Sequence, residues 1–480
     1  GVRLVGSEMC IRDSPIAGLI WEKFCQRSIF AAGFERIPGW ECLFVHKIKK
    51  LFLSVYVDDL RMAGPTNELA PMWEELGKTL DLDPAAPSDT NTYLGCNQKD
   101  IPTPITMMTE KNDLHNRLLG RVGHGLTKEI ADQKTSSHET YTTIQPESKN
   151  TITQSKRAKK RATKKLTAML CKIAHDDVSL GQALKHNDTK SWCYHMTGHV
   201  IQCVERHCEL AKCTIKSLTK VTTPCMDDHV FSDEDFKVRG ELSEVASRIV
   251  LKALYVARLG RPDLMWTVNY LARHVTKWTV ACDRRLHRLI SYMHHTRDWI
   301  QACYLNDEPQ YCRLAVFCDA SFAAEVTDSK STSGAYLALM GPNSFVPLSW
   351  ICKKQGAVSH SSSESEIIAM DAALRMEALP ALQLWELMIE VYHPELIRPL
   401  CSQPIIKLPP QTIHQCLSSV DYVPCSLPPS SGLGKLMVFE DNEAVINMTI
   451  KGRSPTLRHV TRTHKTVSYT HLTLPTTPYV

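Results

Sequence analysis

The stretch RLAVFCDAS (313–321) decides how the C-terminal third of this chain is read. A short apolar run, Leu314 to Cys318, closes on an aspartate, the pattern of a buried strand ending at a sheet edge. Two further strand patterns follow, SGAYLALM (333–340) and FVPLSWICKKQ (345–355). Next comes a long helical pattern, SESEIIAMDAALRMEALPALQLWELMIEV (363–391), which Pro380 should interrupt or kink. Residues 394–432 are rich in Pro, Ser and Cys and read as loop. A strand, KLMVFEDN (435–442), and a short helix, EAVINMTI (443–450), complete the pattern. Strands, helix, strand and helix predict an α/β domain of the size one core supports.

Three carboxylates stand at telling places in this pattern. Asp319 ends the first strand, Glu366 lies near the helix start, and Asp441 ends the later strand. Such positions converge on one edge of a sheet. Hard oxygen ligands far apart in sequence suit two Mg²⁺ ions acting on a phosphodiester.

Upstream, the chain reads as helical blocks from Trp192 to Thr296. In HVIQCVERHCELA, Val200, Cys203, Val204 and His207 share one helix face. The cluster Cys193, His195, His199, Cys203, His207, Cys208 and Cys213 contains no C-x₂-C pair, and apolar periodicity accounts for Cys203 and His207, so no zinc site is expected. Residues 101–190 are polar, weakly periodic and expected to be largely disordered. They contain KRAKKRATKK (156–165), seven of ten residues basic, which reads either as a nucleic-acid contact or nuclear signal or as a solvated tract.

Near the N-terminus, LFLSVYVDDLRMAG (51–64) places Asp58 and Asp59 at the tip of a predicted β-hairpin. Adjacent strand residues point to opposite faces, so the pair alone cannot serve one metal equally. A polymerase site requires a further aspartate, and none occurs between Pro15 and Val57.

The 480 residues carry a net charge of +5, mildly basic and compatible with nucleic acid. Eighteen scattered cysteines with no disulfide-like spacing predict reduced thiols and an intracellular protein. No apolar run reaches the length of a membrane span. SEMCIRDS (7–14) and VSYTHLTLPTTPYV (467–480) resemble translated sequencing-adapter read-through, so 1–14 and 467–480 are set aside as artefact and the sequence is expected to be a fragment.

Several of these motifs resemble one family. SVYVDDLRMAG is similar to the central palm motif of reverse transcriptases of copia-type (Pseudoviridae-like) retrotransposon Pol polyproteins. WEKFCQRSIFAAGFE, ECLFVHK, YLGC (93–96), KVTTPCMDD (220–228) and YVARLGRPDLMWTVNYLAR (255–273) fit the same family. STSGAYLALM together with LSWICKKQGAVSHSSSESEIIAM closely resembles its ribonuclease H.

The resemblance implies an α/β and α+β multidomain chain: a partial reverse-transcriptase palm (15–100), the insertion (101–190), a helical thumb/connection-like region (191–305), and a ribonuclease H-like mixed sheet with flanking helices (310–466). It implies RNA-directed DNA polymerase and RNA–DNA hybrid hydrolysis activities, with template RNA or DNA and the hybrid as partners. Asp319, Glu366 and Asp441 would hold Mg²⁺, with Mn²⁺ as substitute, for hydrolysis. Asp58, as a metal ligand, and Asp59 would belong to a polymerase site lacking its first acid. Family register selects Glu366 over Glu364, which lies about 200° away around the helix. His459 and His464 would assist product release, while Thr461 stands where the family places a fourth acid. Lys353 and Lys354 read either as contacts to hybrid backbone phosphates or as ordinary exposed strand-end lysines. The family's location is a cytoplasmic particle or the nucleus. A catalytically dead relic that at most binds nucleic acid is the alternative expectation.

Overall fold

The computed structural model of the protein describes residues 16–57, 59–85, 92–114, 189–323, 328–396 and 432–451. Asp58, His459, His464, the 156–165 basic run and both suspected artefact ends lie outside the described residues. The chain divides into two compact units, residues 1–99 with 380–434, and residues 100–379 with 435–480. Among the described residues, no helix is long and apolar enough to cross a membrane.

The first unit is built on an antiparallel sheet of β1 (Glu35–Ile37), β2 (Trp40–His46), β3 (Leu51–Tyr56) and β4 (Asp59–Ala63), in that order. Period-2 alternation explains how both sheet faces are covered. Phe44, Leu51 and Leu53 point to a core completed by Cys25 and Ile29 of the helix Ala17–Ala31 and by Met72 and Leu76 of the helix Thr66–Gly77. Val45 and Phe52, one residue out of phase, face Leu384, Leu387, Val391 and Tyr392 of the helix Leu379–Tyr392. Phe52 and Tyr392 stack with ring centroids 6.1 Å apart, and the Tyr392 hydroxyl donates to the Lys50 carbonyl at 2.9 Å. The segment TYLGC is a tight hairpin of β5 (Thr92–Tyr93) and β6 (Cys96–Asp100). Its two turn residues, Leu94 and Gly95, both take positive φ (49° and 70°), as a two-residue hairpin loop requires.

In the second unit the strands are β7 (Lys190–His195), β8 (Gln301–Leu305), β9 (Arg313–Ser321), β10 (Thr332–Gly341), β11 (Ser344–Lys354) and β12 (Leu436–Phe439). They lie in the order β12-β9-β10-β11-β8-β7. Neighbours pair antiparallel except β12, which runs parallel to β9 with Leu436 opposite Leu314 and Phe439 opposite Phe317. Helices Ala246–Leu259 and Met265–Arg273 dock on β11: Trp350 Nε1–H donates to the Ala257 carbonyl (3.0 Å) and Asn269 Nδ2–H to the Cys352 carbonyl (2.7 Å).

Two expected boundaries shift. The region 191–305, expected to be helical, begins and ends in strands β7 and β8, which extend the same sheet as β9–β12. Residues 105–114, expected within the polar insertion, form a helix whose Met108 is buried and whose Lys111 ammonium caps the carbonyls of Pro342 (3.1 Å) and Ser344 (3.4 Å). Short amphipathic pieces of this kind owe their order to tertiary packing, which weak local periodicity does not report. Pro380 acts as expected, although one turn earlier. It lacks an N–H and its ring crowds the carbonyl four residues back, and the ladder relaxes into a π turn at Leu374–Ala378.

Candidate metal centre

The parallel register of β12 on β9 sets the geometry of the carboxylate cluster. Phe317 and Phe439 face each other across the two strands with rings stacked at 4.6 Å. Two residues further along each chain stand Asp319 and Asp441, both exposed at the sheet's edge. The third acid comes from the helix Ser362–Ala373, which packs across β9 and β10. Ser361 caps this helix by accepting the Glu364 N–H (3.2 Å), and Glu364 accepts the His360 N–H (2.7 Å). Glu364 is thus fully buried in capping its own helix, while Glu366 is turned toward the strand ends. One oxygen from each of Asp319, Glu366 and Asp441 lies within 4.8 Å of the other two.

The electrostatics mark this cluster as short of positive charge. Glu366 is 7% exposed, and its carboxyl is pushed up to about 7 by burial first, then by the charges of Glu440, Asp319 and Asp441. The Ala320 N–H donates to it and pulls in the opposite direction. Among the described residues its Oε2 is buried with no hydrogen-bond partner. An orphaned, buried carboxylate oxygen beside two other acids is costly unless a cation meets it. Three carboxylates within 4.8 Å of one another, all hard oxygen donors, fit Mg²⁺ or Mn²⁺ and not a thiophilic ion.

Glu440 is a neighbouring acid, outside that group of three, that sequence reasoning missed. Burial, then the charges of Asp441 and Asp319, push its carboxyl up to about 7 against an opposing hydrogen bond from the Asn442 N–H. Its Oε2 is also buried without a partner. Strand alternation would send Glu440 away from Asp441, but β12 ends at Phe439, so that rule no longer applies. The signal was the tandem acid pair itself. Cys318, behind Asp319, is a buried thiol held well above its usual range by burial and by Glu440.

The other predicted positions do not join this group. Asp59 opens β4, is exposed, and among the described residues belongs to no cluster able to hold a metal. The hairpin tip beside it is constrained: Val57 takes φ 53°, a left-handed conformation that a β-branched residue rarely adopts, and the Trp21 Nε1–H holds the Val57 carbonyl at 3.1 Å. Lys354 pairs with Asp328 at 2.9 Å, and Lys353 is exposed.

No family model and no solved structure matches the chain. Among curated proteins it is 30% identical over 121 residues to a transposon Ty5-1 protein of Saccharomyces cerevisiae, covering 25% of this chain and 37% of that one. It is 30% identical over 151 residues to the retrovirus-related Pol polyprotein from transposon RE2 of Arabidopsis thaliana, covering 31% of this chain and 10% of that one. An uncharacterised mitochondrial protein of Arabidopsis thaliana shares 29% identity over 123 residues, 26% of this chain and 48% of its own length. The matched regions span less than half the length of each of these relatives. Over these stretches the chain is similar to a transposon protein and to a retrovirus-related Pol polyprotein.

Proposed function

We propose that the chain is part of a copia-type retrotransposon Pol polyprotein and that its second unit hydrolyses the RNA strand of RNA–DNA hybrids, as a ribonuclease H does. The observation that carries this reading is the convergence of Asp319, Glu366 and Asp441, with Glu366 Oε2 buried and unpartnered. These three acids would hold paired Mg²⁺, or Mn²⁺ in its place. Such ions supply charge stabilisation for an attacking water and for the leaving oxygen of a phosphodiester.

The chain's own residues do the positioning. Ala320 N–H anchors the Glu366 carboxylate, so its second oxygen stays aimed at the cluster. Asp319 and Asp441 are exposed, so a phosphate backbone can approach from their side. Exposed Lys353, at the end of β11, offers a screening-sensitive phosphate contact. The first unit, in this reading, is the end of a reverse-transcriptase palm in which Asp58 and Asp59 serve RNA-directed DNA synthesis once a further acid joins them. Template RNA or DNA and the hybrid are the partners, and a cytoplasmic particle or the nucleus is the location.

The test is cleavage of a labelled RNA–DNA hybrid by the full chain, with and without Mg²⁺, beside Asp319→Asn. Mg²⁺-dependent cleavage lost in the variant supports the reading. A folded chain that binds hybrid and duplex alike, indifferent to Mg²⁺, would be a catalytically dead relic.

A further inference from the structure

A second group of metal-ligand side chains lies in the helical part of the second unit, away from the carboxylates in chemistry. His207 sits in the last turn of the helix Thr197–Leu210 and is 1% exposed. The chain then reverses sharply. Lys212 takes φ 51°, and the Cys213 N–H donates to the Cys208 carbonyl at 3.1 Å, the cap that folds a chain back on its helix end. This reversal returns the Cys213 thiol to His207 and to hydrogen-bonding contact with the Cys208 thiol. The helix Val280–His295 delivers His287 to the same point. One ligand atom each from His207, Cys213 and His287 lie within 4.8 Å of one another.

The ring geometry favours a shared ion. His207 Nε2 and His287 Nδ1 are 3.4 Å apart. Two nitrogens on a tetrahedral zinc, each at about 2.0–2.1 Å, stand about 3.4 Å from one another. His287 Nε2 is 3.3 Å from the Ser217 carbonyl, which assigns the proton to Nε2 and leaves the Nδ1 lone pair facing His207. That outward hydrogen bond to a backbone carbonyl is the support metal-binding histidines usually have. Among the described residues His207 Nδ1 is buried with no partner, and with Nε2 on the ion it would carry the ring's proton. A hydrogen bond between the two imidazoles has the same separation; the Cys213 thiol within 4.8 Å of both rings is what points to an ion.

We propose that His207, Cys213 and His287 form a structural site for a thiophilic divalent ion, Zn²⁺ above all, with the Cys208 thiol, in hydrogen-bonding contact with Cys213, moving in as the fourth ligand on binding. On binding, the two thiols release their protons to solvent as two sulfur–zinc bonds form. Two thiolates and two neutral imidazoles cancel the ion's double charge, so the loaded site is neutral and suits its half-buried place. The ion ties the end of one helix to the middle of another. The sequence reading dismissed zinc because it weighed only the ligands between 193 and 213, and His287 lies eighty residues from His207.

The experiment is metal analysis of the full chain purified without chelator, followed by Co²⁺ substitution. The wild type should carry about one zinc per chain, and its Co²⁺ form should show the thiolate-to-cobalt absorption and visible bands of a tetrahedral site. A Cys208→Ser/Cys213→Ser double variant should lose both, while Asp319→Asn keeps both. If the double variant does not fold, the wild-type cobalt spectrum decides alone. No zinc, or a cobalt form without thiolate bands, overturns the proposal.

Discussion

The two acidic motifs of this chain make an instructive pair. In the first unit, Asp58 and Asp59 are neighbours in sequence, and Asp59 stands exposed at a hairpin tip and, among the described residues, in no metal-holding group. In the second unit, Asp319, Glu366 and Asp441 are separated by tens of residues and come within 4.8 Å. Adjacency along a strand disperses side chains to opposite faces, whereas a parallel register plus a helix laid across it gathers them. A metal site is made by topology more than by local density of acids. The energetic contrast follows: an exposed acid costs nothing to ionise, but Glu366 must ionise while buried among three other acids.

The largest expected effect lies in chemistry. If the proposed reading holds, Glu366→Gln should lower Mg²⁺-dependent hybrid cleavage by at least about 10²-fold, since several kcal/mol of charge stabilisation would depend on the ion it would hold. Equal rates in wild type and variant would erase the distinction between the two acidic motifs.

The second effect concerns stability without a divalent ion. Glu366 has its folded pKa raised from 4.5 to about 7. Between those values the folded state holds more protons than the unfolded one, so stability falls as pH rises through that window. Above it the whole penalty is present. Glu366→Gln removes the penalty and should raise the Tm at pH 8 by roughly 2–6 °C, with little change at pH 4. Adding Mg²⁺ at pH 8 should stabilise the wild type and not the variant. Thermal scans across pH in chelator and in Mg²⁺ read both.

Two residues away the sign reverses. Glu364→Ala strips the His360 N–H of its acceptor and weakens the helix start, so it should cost about 1–2 kcal/mol in chelator and in Mg²⁺ alike. Denaturant titration distinguishes it from Glu366→Gln, and matching signs would mean the two glutamates share one role. The smallest effect belongs to Asp59→Asn, which should leave stability within about 0.5 kcal/mol and hybrid cleavage unchanged.

Much of this was legible in the sequence. The strand runs 313–321 and 333–340, the helix carrying Glu366, and the hairpin before Asp59 all follow from local periodicity, and they stand as expected. The buried face of Val200, Cys203, Val204 and His207 is there too. What escaped depends on contacts distant in sequence. Strands β7 and β8 are short and flanked by helices, so only pairing with each other and with β11 identifies them as sheet. Helix 105–114 is ordered through packing of Met108 and Lys111. Glu440 acts on the acids electrostatically from just past the end of its strand, and His287 meets His207 only through the packing of two helices.

The most direct measurement is Mn²⁺ binding by the full chain, followed by the paramagnetic resonance signal of the free ion, for wild type, Glu366→Gln and Asp58→Asn/Asp59→Asn. The account predicts binding in the wild type, unchanged in the hairpin double variant and lost in Glu366→Gln. Binding that survives Glu366→Gln and disappears with the hairpin pair would contradict it.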